Sequence, residues 1–340
     1  MVGGGPPHEV RLLASIKAKK GCLHTCSSER LPLWGVPVSK KHTWLEVFLG
    51  TRMESLVGQP SFLKGQMCLH LLLETFQNGR NPERRYLMES HELALNGQVA
   101  LVTGASSGLG RATALALAQA GADVALLARS ADDLQEVITA LTSTGRRAVA
   151  FAGDLAHEDY IVNAVAQAIE TFGRIDILVN AAGIDAPGAV VQLATSEWDY
   201  VVDVNLRAPF LLAKAVFPHM SQARRGTIIN ISSVAGKRGW ANASAYCASK
   251  FGLTGFTQAL AAEGKAYGIR ACIIYPGGMA THWGVWSSTQ RAVSQLEPPP
   301  VTKALPPAEV ASLIVWMAAA PAELVLNEVI ISPLEEEGWP

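Results

Sequence analysis

The sequence predicts an α/β fold in which a doubly wound parallel sheet of seven strands is covered by helices on both faces. Two observations lead to this prediction. From residue 98 onward, short apolar runs alternate with longer segments of helical periodicity, and a glycine-rich turn follows the first run. Apolar strands separated by helices are typical of parallel sheets that are buried on both faces. Ligands of such sheets bind at the carboxyl ends of the strands.

Seven apolar runs predict the strands, and six segments between them predict the helices. The strands are Val99–Val102, Val124–Leu127, Ala148–Phe151, Ile175–Val179, Thr227–Ile231, Ala271–Tyr275 and Glu328–Ile331. The helices are Arg111–Ala120, Ala131–Thr142, Glu158–Phe172, Ser196–Met220, Ala245–Tyr267 and Pro307–Ala319. The regular alternation predicts one sheet within a single domain over residues 91–340.

The first 90 residues differ in composition from the rest of the chain. They hold 12 Lys and Arg against 7 Glu, a net charge of +5, whereas the remainder carries −6. Their apolar patches show no sustained helical or strand period. We therefore predict that residues 1–90 are a poorly ordered N-terminal extension with no assigned function. Met88 stands just before the domain, and one hypothesis is that the native protein begins there, without residues 1–87.

Charge, cysteine content and hydropathy exclude several classes of protein. A net charge of −1 offers no attraction to nucleic acid or to an anionic membrane. The five cysteines are odd in number and scattered, which favours free thiols in the cytoplasm over a disulfide scaffold. Cys22, His24 and Cys26 lack a second ligand pair, so no metal site is expected. No apolar run reaches 18 residues, and no membrane span is predicted.

The turn after the first strand is predicted to bind phosphate. Glycines recur in it because a Cβ would keep the backbone away from a pyrophosphate or would clash where helix meets strand. The N-terminus of the following helix offers free N–H groups and partial positive charge. This arrangement indicates a Rossmann-like fold that binds a dinucleotide. The predicted contacts are Gly104, Ser106, Ser107, Gly108, Leu109 and Gly110.

The end of the second strand predicts the choice of dinucleotide. An acidic residue there would bind the 2′-hydroxyl of NAD(H), but the chain has Arg129 and Ser130 instead. Because arginine can bind a phosphate with two hydrogen bonds, we expect NADP(H) to be preferred, with NAD(H) as the alternative. Asp154 and Leu155, after the third strand, are predicted beside the adenine. Asp154 is also expected to cap the next helix.

Further motifs resemble the short-chain dehydrogenase/reductase family over about residues 95–332. They are the segment Asn180-Ala181-Ala182-Gly183 after the fourth strand, Ser232-Ser233 after the fifth, Tyr246 and Lys250 four residues apart, and Pro276-Gly277 after the sixth. The usual Asn-Asn-Ala-Gly of the family is Asn-Ala-Ala-Gly here. The resemblance implies cofactor contacts from Asn180, Ala181, Ala182, Gly183, Tyr246, Lys250, Pro276, Gly277 and Thr281.

Four residues are predicted to be catalytic. Tyr246 and Lys250 are four residues apart on one helix and therefore share a face. A lysine charge close to the phenol should lower the pKa of Tyr246 and make it a general acid in reduction and a base in oxidation. The resemblance implies that Ser233 binds the substrate oxygen, rather than its neighbour Ser232, and that Asn205 holds a water in the proton relay.

Tryptophans indicate the substrate side of the site. Trp240 lies between Ser233 and Tyr246 in the sequence, and Trp283 and Trp286 follow Thr281 in a segment that the resemblance implies to be a substrate lid. Three indole rings around one cleft predict an apolar or aromatic substrate, which Ser233 and Tyr246 would contact through its oxygen. Some of these rings could instead pack within the lid or at an interface.

The leading prediction is an oxidoreductase that moves hydride between NADP(H) and the carbonyl or alcohol group of a small apolar molecule. An alternative is a 3-oxoacyl-thioester (acyl-carrier-protein) reductase, although the Val-Asp-Gly-Gly segment common near the end of such enzymes is absent. An alternative of another class is a non-catalytic protein that senses NADP(H). The resemblance also implies a homodimer or homotetramer.

Overall fold

The computed structural model describes residues 94–281 and 304–335, and the structural statements below refer to these ranges. The predicted extension over residues 1–90, the hypothesis of a start at Met88, and the predicted substrate residues Trp283 and Trp286 lie outside them. Within the described ranges no helix is long and apolar enough to cross a membrane.

Seven parallel strands form one sheet in the order β3-β2-β1-β4-β5-β6-β7. Their bounds are β1 Val99–Thr103, β2 Asp123–Ala128, β3 Ala148–Ala152, β4 Ile177–Asn180, β5 Gly226–Ile231, β6 Ile269–Pro276 and β7 Glu328–Ile331. Every residue of β1, β4 and β5 is buried, as expected for strands covered on both faces. The strand order reverses between β1 and β4, and the carboxyl ends of these two strands form the crevice in which ligands of open α/β sheets bind.

Helices cover both faces of the sheet. Their bounds are α1 Gly108–Gln119, α2 Ala131–Thr142, α3 Glu158–Phe172, α4 Thr195–Val202, α5 Ala208–Ala223, α6 Ser244–Gly264 and α7 Pro307–Ala319. Apolar residues of α1, α2 and α7 pack in one core layer, and those of α3, α5 and α6 pack in the other. The predicted α/β architecture is therefore confirmed.

One predicted helix is divided in the structure. The segment predicted as a single helix over Ser196–Met220 consists of α4, a π-helical turn over Asp203–Arg207, and α5. The prediction of one continuous α-helix was wrong, and proline supplies a physical reason. Pro209 has no amide hydrogen, so it cannot donate to the carbonyl of Asn205 four residues earlier, and the regular α-helical ladder is interrupted there.

A short parallel bridge lies beyond β6. The Leu305 amide donates to the Gly278 carbonyl at 2.7 Å, and the Ala280 amide donates to the Leu305 carbonyl at 2.9 Å. Met279 and Leu305 are the paired residues of this bridge. The chain that leaves the sheet after β6 is thus anchored to the chain that leads into α7.

Candidate active site

The glycine turn has the geometry of a phosphate cradle. Gly104 and Gly108 have φ values of +65° and +52°, which side chains with a Cβ rarely adopt. A Cβ on Gly104 would lie 2.9 Å from the Cα of Ala182, and a Cβ on Gly110 would overlap the carbonyl oxygen of Gly104. The turn therefore folds tightly against its neighbours only because these residues lack side chains.

The N-terminus of α1 opens onto this turn. Ser107 is the N-cap residue, and its side chain makes no capping hydrogen bond to the helix. Ser107 thus leaves the first N–H groups of α1 without a side-chain cap, and the helix dipole favours an anion at this end. The Thr103 hydroxyl accepts hydrogen bonds from the amides of Ala181 and Ala182, both at 3.1 Å, and so holds the loop after β4 beside the cradle.

Three side chains meet at the carboxyl end of β2. The Arg129 guanidinium donates to the Tyr200 hydroxyl at 3.3 Å, and this hydroxyl donates to the Asp154 carboxylate at 2.8 Å. Ser130 caps α2, since its hydroxyl accepts from the Asp133 amide at 3.2 Å. The sequence reasoning missed Tyr200, because its two partners are 46 and 71 positions away and only the fold brings them together.

Asp154 does not have the capping role predicted for it. Its other carboxylate oxygen accepts from the amide of Ala156 at 2.9 Å, two residues along the chain, whereas the N-cap of α3 is His157. The prediction that Asp154 caps the helix was wrong by one turn, because the chain makes a short turn after β3 before the helix begins. Asp154 nevertheless lines the cleft, together with Leu155.

Tyr246, Ser233 and Lys250 converge at the other end of the cleft. Ser233 follows β5, and its hydroxyl accepts from the Ala235 amide at 3.1 Å and is hydrogen-bonded to the Tyr246 phenol. Lys250 lies one turn along α6 from Tyr246. Its ammonium group donates to the Ile231 carbonyl at 2.9 Å and lies 5.6 Å from the centroid of the Tyr246 ring. The predicted group is therefore assembled at one place.

Burial has the largest influence on the pKa values of Tyr246 and Lys250. It raises the pKa of the Tyr246 phenol above its usual value; the hydrogen bond with Ser233 lowers it by a smaller amount, and the Asp185 charge raises it further. Burial also lowers the pKa of Lys250 to about 8. The lowering of the Tyr246 pKa that Lys250 was predicted to cause is therefore not found, because burial disfavours the charged phenolate and raises this pKa.

Asn205 lies in the π-helical turn and is fully buried. Its side-chain oxygen accepts from the Ile184 amide at 2.9 Å, and its side-chain nitrogen donates to the Ile184 carbonyl at 2.8 Å and to the Ser249 hydroxyl at 3.1 Å. Both side-chain N–H groups are thus used within the protein. The side chain ties the loop after β4 to α6, which carries Tyr246.

Asn180 and Ser232 support the site from the core. The Asn180 side chain donates to Asn230 at 2.8 Å, and Asn230 donates to the Thr257 hydroxyl on α6 at 2.8 Å. Ser232 donates to the Lys250 carbonyl at 3.3 Å. Asn180, predicted as a cofactor contact, is absent from the cleft wall because its side chain is buried and hydrogen-bonded to Asn230 of β5.

A single cleft of about 1030 Å³ joins the cradle to Tyr246. Its size is at the upper end of the range for ligand pockets, which suits a dinucleotide together with a small substrate. The cleft wall includes most of the predicted cofactor residues and several apolar residues that the sequence reasoning missed. The predicted residues are Gly104, Ser106, Ser107, Gly108, Leu109, Gly110, Arg129, Ser130, Asp154, Leu155, Ala181, Ala182, Gly183, Tyr246, Lys250, Pro276, Gly277 and Thr281. The missed residues include Ile184, Val204, Ile231 and Val234.

Trp240 reaches the same cleft from the loop between Ser233 and Tyr246. Its ring is 49% exposed, so it can contact a ligand without first being released from the core. This loop is held in place by Lys237, which pairs with Glu328 of β7, and Glu328 also accepts from Gln258 at 2.7 Å.

The comparison with protein families identifies this arrangement. Residues 98–291 match the family model described as short chain dehydrogenase. The chain belongs to the short-chain dehydrogenase/reductase family. It is accordingly an oxidoreductase with the NAD(P)-binding Rossmann fold of that family, and the resemblance noted in the sequence is confirmed.

Relatives in this family act on different substrates. The chain is 37% identical over 230 residues to a 3-oxoacyl-[acyl-carrier-protein] reductase from Synechocystis sp., covering 67% of this chain and 92% of the relative. It is 35% identical over 236 residues to a cis-4-hydroxycyclohexanecarboxylate dehydrogenase from Sinomonas cyclohexanicum, with 68% and 94% covered. A metagenomic short-chain oxidoreductase crystallised with NADP is 36% identical, with a TM-score of 0.61 over 71% of this chain and 99% of that one.

Proposed function

We propose that the protein transfers hydride between NADP(H) and the carbonyl or alcohol carbon of a small apolar molecule. The observation that carries this proposal is the contact of the Tyr246 phenol with the Ser233 hydroxyl above buried Lys250, in the same cleft as the phosphate cradle. A proton donor, a group that polarises the substrate oxygen and a nucleotide site are the parts that such a reaction requires.

The cleft wall suits the cofactor. The glycine turn and the first N–H groups of α1 would bind the pyrophosphate, and Arg129 would bind the 2′-phosphate at the end of β2. Thr281 comes close to this cradle, because a Cβ on Gly108 would lie 3.4 Å from its methyl group. NADPH bound there would supply the hydride, and Lys250 would hold the nicotinamide ribose.

Proton transfer is assigned to Tyr246. The raised pKa keeps the phenol protonated at neutral pH, which is the state needed to protonate a carbonyl oxygen during reduction. Ser233 would donate to the same oxygen and stabilise the charge that develops on it. The Asn205 side chain would support this group by fixing α6, which carries Tyr246, against the loop after β4.

The substrate end of the cleft favours an uncharged group. Ile184, Val234, Trp240 and Met279 all line the cleft. These side chains would bury aliphatic or aromatic surface, whereas Ser233 and Tyr246 provide the polar anchor.

Turnover and binding of Tyr246→Phe test the proposed chemistry. We expect NADPH binding within about twofold of the parent protein, because the ring remains, together with a loss of at least about 100-fold in kcat for carbonyl reduction. The assay is NADPH oxidation with a panel of ketones and aldehydes. Retained turnover in Tyr246→Phe would refute the assignment, and tight NADPH binding without turnover by the parent on any carbonyl or alcohol would favour a sensing role.

Arg129→Ala tests the cofactor preference. We expect the parent protein to bind NADPH more tightly than NADH, and the preference to fall by at least about tenfold in the variant, because a charge-assisted pair with the phosphate is lost. Direct titration followed by nicotinamide fluorescence measures both affinities. Equal affinities in the parent would refute the preference while leaving the role of Tyr246 intact.

A 3-oxoacyl-thioester reductase is the second candidate, and the 37% identity to a 3-oxoacyl-[acyl-carrier-protein] reductase favours it. A 3-oxoacyl thioester and the matching free 3-ketone should be compared in the same assay. A kcat/KM for the thioester at least about 100-fold above that for the ketone would replace the leading proposal.

Self-association is also inferred. Phe210 on α5 and Phe251 on α6 are 45% and 46% exposed, and large exposed aromatic rings on adjacent helices are a feature of subunit interfaces. A second copy of the chain covering this surface would give a homodimer, or a homotetramer if another surface also pairs. Sedimentation of Phe251→Ser beside the parent protein tests this, and a monomeric parent would refute it.

A further inference from the structure

We propose that Tyr200 determines cofactor specificity by positioning Arg129 for the 2′-phosphate. The inference rests on the proposed NADP(H) preference and adds a residue that the glycine turn and the catalytic group do not include. Its basis is the chain of two hydrogen bonds from Arg129 through the Tyr200 hydroxyl to Asp154.

The three side chains come from three separate elements. Arg129 follows β2, Asp154 follows β3, and Tyr200 is on α4. All three line the same cleft at its adenosine end. The Arg129 side chain is exposed and long, so an isolated guanidinium there would sample many conformations and would lose that entropy on binding a phosphate.

The Tyr200 hydroxyl reduces this freedom. It accepts from one guanidinium nitrogen at 3.3 Å, and it is itself fixed because it donates to Asp154 at 2.8 Å. Asp154 is fixed in turn by the Ala156 amide. Burial raises the pKa of Tyr200, and the hydrogen bond to Asp154 raises it further, so the phenol remains a donor at neutral pH.

The hydroxyl has a second consequence for an anionic ligand. Asp154 carries a negative charge at the end of the cleft where a 2′-phosphate would arrive, and like charges repel. Because the Tyr200 hydroxyl stands between the two ionised groups, it gives the carboxylate a neutral donor and gives the guanidinium a neutral acceptor. A phenylalanine ring could not make these hydrogen bonds, so the expected effect on the 2′-phosphate depends on the Tyr200 hydroxyl.

A double-mutant cycle tests the proposal on the full chain. The parent, Tyr200→Phe, Arg129→Ala and the double variant are titrated with NADP⁺ and NAD⁺ by isothermal titration calorimetry. The measured quantity is the selectivity, defined as the dissociation constant for NAD⁺ divided by that for NADP⁺. Calorimetric binding does not depend on turnover, so it separates this role from catalysis.

We expect Tyr200→Phe to lower the selectivity about tenfold, the size of one hydrogen bond to a charged group. The affinity for NAD⁺ should stay within about twofold, which also shows that the site is still folded. In the Arg129→Ala background the same substitution should change the selectivity by less than about twofold, because a residue that acts through Arg129 has nothing left to position.

Three results would overturn the proposal. The first is unchanged selectivity in Tyr200→Phe beside a clear loss in Arg129→Ala, which leaves the proposed cofactor preference standing. The second is an equal loss of affinity for both dinucleotides in both backgrounds, which indicates a packing role for the ring. The third is a parent selectivity near one, which removes the NADP(H) preference as well but not the hydride-transfer chemistry.

Discussion

Replacing Gly110 with alanine tests whether close backbone packing, rather than helix propensity, determines the glycine at the start of α1. Alanine is favoured over glycine in helices by about 1 kcal/mol, so propensity alone predicts a more stable protein. The structure predicts the opposite. A Cβ at this position would overlap the Gly104 carbonyl oxygen, lie 2.5 Å from its carbonyl carbon, and lie 3.0 Å from the Thr103 oxygen.

The atoms that the new methyl group would meet are backbone atoms of β1 and the turn, and they cannot move aside as a side chain can. Overpacking of this kind typically lowers stability by about 1 to 3 kcal/mol. We therefore expect Gly110→Ala to lower the free energy of unfolding by roughly that amount. The displaced turn should also weaken NADPH binding by at least about tenfold, because the cradle is formed by the same backbone.

Gly255 provides a matched control. It lies inside α6 and is exposed, and an added Cβ would have no neighbouring atom within 4 Å among residues 94–281 and 304–335, apart from its own helix backbone and chain neighbours. Gly255→Ala should raise the free energy of unfolding by about 0.5 to 1 kcal/mol. The assay is equilibrium urea unfolding of both variants and the parent at one protein concentration. Gly110→Ala as stable as Gly255→Ala, with unchanged NADPH affinity, would refute the packing argument.

Three further predictions concern single side chains. The folded-state pKa of Lys250, about 8, lies below the usual value of 10.5, so the unfolded chain binds more protons between these pH values and stability should rise with pH across that window. The Lys250 contribution to this rise should be at most about 3 kcal/mol. Equilibrium urea unfolding at pH 7.5 and 10 measures it as the difference in pH dependence between the parent and Lys250→Met, because other shifted groups such as Cys272 are present in both proteins; equal pH dependence would contradict the shift. Arg270→Met should lower the free energy of unfolding by about 2 to 3 kcal/mol, because Arg270 donates to four carbonyls around the end of α7 and to the Thr227 hydroxyl. Thermal unfolding measures this change, and a decrease below about 0.5 kcal/mol would refute the prediction. Ser130→Ala should lower the free energy of unfolding by about 1 kcal/mol, because the N-cap hydrogen bond of α2 is removed. Ser130→Asn should be about as stable as the parent, and equal decreases in the two variants would argue against a capping role.

The sequence predicted the fold because the strands carry a strong local signal. Runs such as those of β1 and β5 are apolar throughout, and burial on both faces is the only arrangement that satisfies them. The glycine turn was equally readable, since Gly104 and Gly110 are required by backbone contacts that the strand–turn–helix order already implies.

Features that depend on distant partners could not be read in the same way. The link between Tyr200 and Asp154 joins residues 46 positions apart, and nothing near either residue signals it. The break in the predicted helix had a local signal in Pro209, but a proline in the first turn of a helix and a proline after a π-helical turn look alike in sequence. The raised pKa of Tyr246 follows from burial, which the spacing of Tyr246 and Lys250 does not reveal.

The bridge between Met279 and Leu305 has a consequence for how such an enzyme can be altered. Because the bridge joins the two points where the chain departs from β6 and returns toward α7, the ends of the intervening segment are set by the scaffold and not by the segment. Segments of different length and sequence could therefore be grafted between Thr281 and Ala304 while the sheet and the nucleotide cleft stay as they are. The bridge thus marks the two points between which such a replacement would begin and end.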